Sequence, residues 1–247
     1  MTSSQRPPSD RAPRSAFGEY QEELRKSGLT SRERTDASMS LIIKLSLMSF
    51  RGARLRPFLG AAASTPFVGR GVRVRGAKQL SIGRRVLIED FAEIQASSHS
   101  GVRLGDGVSI GSMTMIRPSG YYGRLGEGLT IGNRTGIGPY CYFGCSGGIT
   151  IGADVLMGPG VMIFSENHNF SEATLSIKEQ GVLWAPTVIE DDCWVGSGVR
   201  VTGGVRIGRG SVIGAGSVVT HDIQAWSVAV GNPARVIRSR MASGGVD

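Results

Sequence analysis

The sequence is poor in aromatic residues and in cysteine. Phenylalanine, tryptophan and tyrosine together make up 6% of its 247 residues, and three cysteines are present. Cys141 and Cys145 lie four positions apart, but no further cysteine or histidine cluster completes a zinc set. The start of the chain also lacks the apolar core and cleavage site of a secretory signal. We therefore expect a reduced, cytoplasmic protein with no metal ligand set.

The charge of the chain is strongly positive. Its net charge is +8 at pH 7 and its pI is about 9.9. Such a charge suits polyanions, namely nucleic acid, anionic lipid or a phosphate-bearing ligand. No basic stretch is interleaved with aromatic residues and no nucleic-acid reading motif is present, so we expect no nucleic-acid partner.

Aliphatic side chains return every sixth residue, in blocks of three. A helix would repeat near 3.6 residues and a half-buried strand every 2 residues, so a sustained period of 6 fits neither. It fits a three-sided coil of short strands and corners, whose successive turns stack in parallel at about 4.8 Å. The aliphatic residues predicted to point inward are Ile82, Ile88, Ile94, Leu104, Ile110, Ile116, Ile131, Ile137, Phe143, Ile151, Met157, Ile163, Ile189, Val195, Val201, Ile207, Ile213 and Val219.

The residue two positions before an aliphatic one should also face the interior, where the tapering coil leaves less room. The residues at these positions are small or β-branched, and none is charged: Ala92, Val108, Thr114, Thr135, Cys141, Val155, Val161, Cys193, Val199, Ser211 and Ser217. Glycine often follows the aliphatic residue directly, which suits a bend where a Cβ would crowd the neighbouring backbone. The terminal turns of such a solenoid need caps.

With this repeat, the chain resembles the hexapeptide-repeat family of left-handed parallel β-helix proteins, most of which are acyltransferases. The left hand is implied by the resemblance, since the general rule for parallel crossovers favours the right-handed form. We therefore expect an all-β solenoid with flanking segments. Its predicted parts are a flexible segment 1–34, a helical segment 35–66, the β-helix acyltransferase domain 67–224 with an active-site loop 169–188, and a C-terminal cap and tail 225–247.

Residues 38–59 have a helical pattern. Their apolar residues could share one face bordered by Lys44, Arg51 and Arg54, and Pro57 is expected to end the helix. The stretch is too short and too charged to cross a bilayer. Two interpretations stay open: a helix that caps the open end of the coil, and a helix that lies on a membrane surface and makes the protein peripheral to the inner face of the membrane.

The sixfold period fails most extensively at residues 169–188, directly after His168. Long loops on a rigid solenoid commonly carry binding function. In the sugar and xenobiotic acetyltransferases of the family a histidine at the matching place is the general base, so the resemblance implies that role for His168. A hydroxyl needs a base to take its proton, and imidazole titrates near working pH. His99 should occupy the same edge of the coil without a comparable loop, and His221 lies where the family places coenzyme contacts.

The resemblance also implies a carboxylate in the loop that orients the acceptor or the histidine. Glu179 is the nearest candidate, ahead of Glu166 and Glu172. Some members carry an asparagine on the turn before the histidine that helps to hold the acceptor or the reacting carbonyl. That asparagine has no clear counterpart here, which leaves the acceptor class open.

The run after the loop resembles the acetyl-coenzyme A groove of the family. By that resemblance, backbone groups of Ser197 and Ala215 would meet the pantetheine arm and Thr220 would lie near the adenine. Arg235 and Arg238 would face phosphates, with which the guanidinium group pairs well.

These features predict an acetyl-CoA-dependent O-acetyltransferase that acts on a sugar or glycan hydroxyl by direct transfer. The resemblance implies a homotrimer with active sites between subunits. Three alternatives stay open: transfer to an amine or hydroxyl of a nucleotide sugar, antibiotic or other small molecule; a zinc carbonic anhydrase, for which the paired histidines are absent; and a noncatalytic coil that serves as an assembly surface.

Overall fold

The computed structural model describes residues 30–118 and 124–241. The chain divides into two compact units, residues 1–47 and 48–247. Most of the predicted flexible segment 1–34 and the end of the predicted tail lie outside the described residues.

A single long helix precedes the coil in the described part of the chain. Helix α1 (Ser31–Leu55) begins at a capping box: the Glu33 N–H donates to Thr30 Oγ1 at 3.3 Å, and the Thr30 N–H donates to the Glu33 carboxylate at 2.8 Å. These bonds lower the pKa of Glu33. The Thr-x-x-Glu pattern is a sequence signal for the helix start, and it places this start four residues before the predicted residue 35. The helix ends at Leu55, and a 3₁₀ turn containing Pro57 follows.

The described residues from 61 onward form seven turns of three short strands each, and two further strand pairs. Turns 1 to 3 contain β1 (Ala61–Ala62), β2 (Phe67–Val68), β3 (Arg73–Arg75), β4 (Leu80–Ile82), β5 (Leu87–Ile88), β6 (Glu93–Gln95), β7 (Val102–Leu104), β8 (Ser109–Ile110) and β9 (Met115–Arg117). Turns 4 and 5 contain β10 (Leu129–Ile131), β11 (Gly136–Ile137), β12 (Tyr142–Gly144), β13 (Ile149–Ile151), β14 (Leu156–Met157) and β15 (Met162–Phe164).

A hairpin of β16 (Glu166–His168) and β17 (Val182–Trp184) interrupts the coil after turn 5. Turns 6 and 7 contain β18 (Thr187–Ile189), β19 (Trp194–Val195), β20 (Arg200–Val201), β21 (Arg206–Ile207), β22 (Val212–Ile213) and β23 (Val218–Val219). The strand pair at the end is β24 (Ser227–Val230) and β25 (Arg235–Ser239).

Each turn contributes one strand to each of three parallel sheets, which we call the first, second and third faces in the order in which the chain visits them. The register keeps equivalent residues in one column, so that Ile131 pairs with Leu104 of the turn before and with Ile151 of the turn after. Every predicted inward aliphatic residue is at most 5% exposed, and every predicted small inward residue is at most 2% exposed. The period of 6 therefore predicts the inward residues of the coil correctly.

The first corner joins the first face to the second, and the second corner joins the second face to the third. From turn 2 onward each of these corners holds one residue with positive φ, and the N–H of that residue donates to the turn before; Asp154 to Asn133 and Tyr140 to Ser112, both at 2.9 Å, are examples. Glycine precedes many of these bends for a steric reason. A Cβ on Gly138 would lie 2.7 Å from the backbone of Gly158 on the next turn.

The third corner joins the third face to the first face of the next turn. The interruptions of the sixfold period all begin and end there, and their described residues are 96–101, 118 with 124–128, 145–148 and 165–186. Between turns 6 and 7 this corner is short, since only residues 202–205 join β20 to β21. The coil therefore has two regular corners and one variable corner.

The coil extends beyond the predicted limits of 67 and 224 at both ends. Strand β1 already pairs with β4, and β24 still pairs in parallel with β22. The inward position in β24 is Ala229, which is fully buried opposite Ile213. Because alanine replaces the larger aliphatic residue there, the sequence period fades before the fold ends. Strand β25 then runs antiparallel to β24 and closes this edge.

Candidate active site

The excursion predicted as loop 169–188 is a β-hairpin that starts earlier and ends earlier. Strand β16 pairs antiparallel with β17, and Glu166 faces Trp184 while His168 faces Val182. His168 is thus the last residue of a strand and part of the excursion. Residues 187–188 have already returned to the first face of the coil as part of β18.

Buried hydroxyl groups fasten the base of the hairpin to the coil. Ser165 is fully buried; its hydroxyl donates to the Gly144 carbonyl and accepts the Gly147 N–H, both at 2.9 Å. The Thr187 hydroxyl donates to the Phe164 carbonyl at 2.7 Å. Both sides of the hairpin therefore leave the corner from fixed positions, which limits the movement of His168.

The two faces of the hairpin have different partners. Side chains two residues apart on a strand, and those paired across it, share a face. Asn167 therefore points away from His168, and its amide donates to the Gly203 carbonyl of the following turn at 3.1 Å. The opposite face carries Glu166, His168, Val182 and Trp184.

The imidazole of His168 is exposed and makes no hydrogen bond or ion pair with any residue in the described part of the chain. A histidine that held the hairpin together would bond to its neighbours, as Asn167 does. His168 is instead available to a ligand, as a general base in contact with an acceptor must be.

The third face next to the hairpin is aromatic. The rings of Tyr142 and Phe164 pack with their centroids 5.7 Å apart. Burial raises the pKa of Tyr142; the positive charge of Arg117 opposes this shift and the negative charge of Glu166 adds to it. Arg117 is also paired with Glu93 at 3.0 Å. The Glu166 carboxylate therefore lies close enough to the coil to influence Tyr142.

The structure does not bring Glu179 into contact with His168. The Glu179 carboxylate accepts the hydroxyl of Ser176 at 2.7 Å and its N–H at 3.1 Å, and these bonds lower the pKa of Glu179. Glu172 is engaged with Thr174 in the same way. Both carboxylates shape the outer part of the hairpin, whereas Glu166 shares a face with His168.

Two residues near His168 carry no signal in the sequence. Arg124, from the excursion between turns 3 and 4, places its guanidinium 4.3 Å from the ring centroid of Trp184. Both residues belong to segments without the sixfold period, so no pattern pointed to them. The contact joins two excursions that leave the third corner two turns apart.

Three of the predicted coenzyme residues, Ser197, Ala215 and Thr220, lie in the last two turns or at the corner that follows them. Ser197 and Ala215 occupy equivalent positions at the second corner, where the Gly216 N–H donates to the Ser197 carbonyl at 2.8 Å. Both residues are exposed. Thr220 is exposed at the third corner, and its hydroxyl lies 2.9 Å from Nδ1 of His221.

Arg235 and Arg238 project from the same side of β25. They pair with Val230 and Val228, which are two residues apart on β24, and a register shift between Val228 and Ala229 makes this possible. In a regular strand, residues three positions apart would face opposite sides. The irregularity therefore directs both guanidinium groups to one surface.

His168 and the pair Ser197 and Ala215 lie at different corners of the coil. The hairpin leaves the third corner, whereas the pair lies at the second corner, across the width of the third face. His99 is exposed at the third corner three turns before His168, as expected, and among the described residues only its backbone N–H is bonded, to the Gly126 carbonyl at 2.8 Å.

Comparison with known proteins places the repeat in a family. Residues 186–221 match the family described as bacterial transferase hexapeptide (six repeats). The chain belongs to the hexapeptide-repeat family. A probable acetyltransferase of Mycobacterium tuberculosis is 32% identical to this hexapeptide-repeat chain over 180 residues, which cover 72% of this chain and 51% of the relative. A putative acetyltransferase of Schizosaccharomyces pombe is 45% identical over 91 residues, 36% of this chain and 42% of the relative.

The chain spans about half the length of these curated relatives. Among solved structures, a variant of the N-acyltransferase AntD from Bacillus cereus, in complex with dTDP-4-amino-4,6-dideoxyglucose and coenzyme A, superposes with a TM-score of 0.51. The two proteins are 20% identical, and the match covers 74% of the hexapeptide-repeat chain and 84% of AntD. The fold is thus the expected left-handed parallel β-helix.

Residues 30–118 and 124–241 of this hexapeptide-repeat protein contain no group of three or more histidine, cysteine, aspartate or glutamate side chains that could hold a metal ion. In the same part of the chain, no helix is both long enough and apolar enough to cross a membrane. All three cysteines are buried and free. Burial raises the pKa of Cys145 to about 12 and that of Cys193 to about 11, so these thiols are packing residues of the coil.

Proposed function

We propose that the protein is an acetyltransferase that moves the acetyl group of acetyl-CoA directly to a hydroxyl of a sugar or glycan. The observation that carries this proposal is the exposed imidazole of His168, which has no partner among the described residues although the base of its hairpin is fastened by buried Ser165. Both curated relatives are named as acetyltransferases, and the AntD structure contains coenzyme A, which supports acetyl-CoA as the donor.

In the proposed reaction, His168 takes the proton of the acceptor hydroxyl as the oxygen attacks the thioester carbonyl carbon. The tetrahedral intermediate collapses with cleavage of the C–S bond, and the leaving thiolate recovers the proton from the imidazolium. No covalent bond to the enzyme is needed. We assign the assisting carboxylate to Glu166 in place of Glu179, because Glu166 shares the face of His168 whereas Glu179 is bonded to Ser176.

We propose that acetyl-CoA binds along the last two turns. Its pantetheine arm would bond to backbone groups at Ser197 and Ala215, and its adenine would lie towards Thr220. Arg235 and Arg238 would pair with its phosphates. The common side of the two arginines on β25 supports this assignment, because one polyanion can then contact both of them.

We further propose a homotrimer in which His168 of one subunit acts on coenzyme held by the next. His168 and the pair Ser197 and Ala215 lie at different corners within one chain, which supports a site completed between chains. Sedimentation velocity tests the oligomeric state. A monomer that is fully active would contradict the shared site.

The general base is tested with His168→Ala, and His99→Ala is the matched control, since both histidines are exposed and each lies five residues after a buried isoleucine. Release of free coenzyme A is followed with a panel of sugars. We expect His168→Ala to lower kcat by about 10²- to 10⁴-fold and His99→Ala to leave it unchanged. Binding of acetyl-CoA, measured by calorimetry, should survive in both variants. Turnover retained by His168→Ala would remove the assignment.

The second candidate is N-acetylation of an amino sugar carried by a nucleotide, which is favoured by the amino sugar bound to AntD. An uncharged amine can attack the same thioester and lose its proton to the same base. Treatment of the labelled product with alkaline hydroxylamine separates the two reactions, since an ester releases its acetyl group and an amide retains it. A coil that serves only in assembly would bind no coenzyme A.

We also propose that residues 38–59 allow contact with an anionic membrane. Between residues 37 and 59 the chain carries Lys44, Arg51, Arg54 and Arg56 and no acidic residue, and Phe50 and Phe58 are more than 60% exposed. Co-sedimentation with phosphatidylserine vesicles at physiological salt tests this contact, and neutral vesicles are the control. Failure to bind the anionic vesicles would refute it.

A further inference from the structure

We infer that Arg124 and Trp184 form an anion subsite beside His168, which selects acceptors that carry a phosphate or carboxylate group. This inference rests on the proposed function and names the chemical class of its acceptor. The observation behind it is the contact of the Arg124 guanidinium with the Trp184 ring at 4.3 Å.

The hairpin places this pair next to the proposed base. His168 faces Val182, and Trp184 lies two residues further along the same strand and on the same side. In an antiparallel pair, such diagonal neighbours have Cα atoms roughly 7–8 Å apart. Trp184 and His168 are therefore about one sugar unit apart on one face of the hairpin, so that an anionic substituent could bind Arg124 at Trp184 while a neighbouring hydroxyl approaches His168.

The guanidinium charge of Arg124 has no acidic partner among the described residues. No ion pair or hydrogen bond engages its guanidinium in the described part of the chain, and the residue is exposed. Arg117, the last residue of β9 before that excursion, is by contrast paired with Glu93. Glu166 is the only acidic residue on the His168 face of the two strands, and its charge adds to the raised pKa values of Tyr142 and Cys145.

The geometry of the stack suits recognition of an anion. A guanidinium stacked over an aromatic ring is held by its face, and its N–H groups remain free at the edge. Those edge donors match two oxygens of a phosphate or carboxylate. Among the four arginine–aromatic contacts in the described residues this one is the shortest; the other three lie at 5.6 to 6.0 Å. Arg240, for comparison, also contacts Asp192 at 3.8 Å.

The test uses Trp184 as its own reporter. The chain has three tryptophans, so a Trp194→Phe and Trp226→Phe background leaves Trp184 as the sole source of tryptophan emission. The full-length protein is titrated with glucose 1-phosphate, glucuronate and glucose at constant ionic strength. We expect a saturable change in emission with the two anions and none with glucose. The relative affinity of the two anions identifies the preferred group.

Variants of Arg124 test whether its guanidinium group binds the anions. Arg124→Gln should weaken anion binding by roughly 10- to 100-fold, because a charged hydrogen-bonding partner is lost, and Arg124→Lys should recover part of it. The matched control is Arg70→Gln, which removes an exposed arginine that stacks on Phe91 at 6.0 Å elsewhere on the coil. Anion affinity that is absent in the parent, or equal in the parent and in Arg124→Gln, would overturn the inference and reduce the stack to a packing contact.

The outcome is separable from that of the proposed function. If the protein binds acetyl-CoA and loses turnover with His168→Ala but shows no Arg124-dependent anion binding, only the anion subsite is refuted. If the anions bind through Arg124 but acetyl-CoA does not bind, the acetyltransferase proposal fails while the subsite remains. Steady-state kinetics provide a third test. Arg124→Gln should raise KM for anionic acceptors and leave KM for acetyl-CoA unchanged.

Discussion

The first and second corners of the coil differ from the third corner because only the third corner contains insertions into the six-residue repeat. The two regular corners repeat one bend in every turn from turn 2 onward, with a residue at positive φ whose N–H bonds to the turn before. The third corner releases the excursion that carries Arg124 and the hairpin that carries His168. An insertion there leaves the strands on both sides in register, because the parallel ladders resume as soon as the chain returns. A regular scaffold and long excursions can therefore coexist in one short repeat.

The coil and the hairpin also depend on different interactions. The coil buries columns of aliphatic residues between ladders that link distant parts of the sequence. The outer hairpin is exposed and is held by local bonds, such as that of Glu179 to Ser176 and that of the Gln180 side chain to the Glu172 carbonyl at 2.9 Å. We expect mutations in the coil to act on stability and mutations in the hairpin to act on the reaction.

The largest effect on stability is expected from Ile110→Ala, which opens a cavity in a fully buried column far along the coil from His168. Loss of a buried isoleucine costs about 2–5 kcal/mol of unfolding free energy. The control is Phe170→Ala, because Phe170 is 77% exposed on the hairpin and its loss should change stability by less than about 0.5 kcal/mol. Urea denaturation measures both. Equal losses would contradict the contrast between coil and hairpin.

A smaller effect is expected where the two regions meet. Ser165→Ala leaves the buried Gly147 N–H without its hydroxyl acceptor, at a cost of about 1–3 kcal/mol. It should also lower turnover, since His168 is three residues away on the anchored strand. Ser176→Ala, in the exposed outer hairpin, is the control and should have little effect on unfolding. A stable Ser165→Ala variant with full activity would show that the hairpin needs no buried anchor.

The smallest expected effect is that of pH on the local bonds between Glu179 and Ser176. The pKa of Glu179 is lowered by its bonds to Ser176, so this local stabilisation is present above the ordinary value of 4.5 and is lost as the pH falls through the lower folded pKa. The Ser176 amide resonance should therefore titrate below pH 4.5, and it should not do so in Glu179→Gln. Global unfolding should be unaffected by the variant. A Ser176 amide that titrates identically in both proteins would exclude this bond.

Much of the fold could be predicted from the sequence because its signal is local and repeated. An aliphatic residue at every sixth position predicts a three-sided coil, and both predicted sets of inward residues are buried. The start of α1 was predicted four residues late, although the Thr30 and Glu33 capping box marks it. The ends of the coil were harder to predict, because small residues such as Ala62 and Ala229 take the place of the larger aliphatic residues that mark the period.

The site was predictable only in part. His168 was found because it adjoins the largest break in the period, and its role as the base stays a prediction. Glu179 was the nearest carboxylate in the predicted loop, but the hairpin register places Glu166 on the face of His168. The pairing of Arg124 with Trp184 had no sequence signal, because both residues belong to segments without the sixfold period.

The sequence by itself determined the coil, its interior and the place where the chain departs from it, since burial of a regular apolar column is a property that each six-residue unit carries. Only the tertiary structure decided which side chains meet outside the coil. The antiparallel register sets the companions of His168, and the shift between Val228 and Ala229 brings Arg235 and Arg238 to one side. The physical reason is that strand pairing has a period of two, so a shift of one residue, invisible in composition, reverses the direction of every side chain that follows.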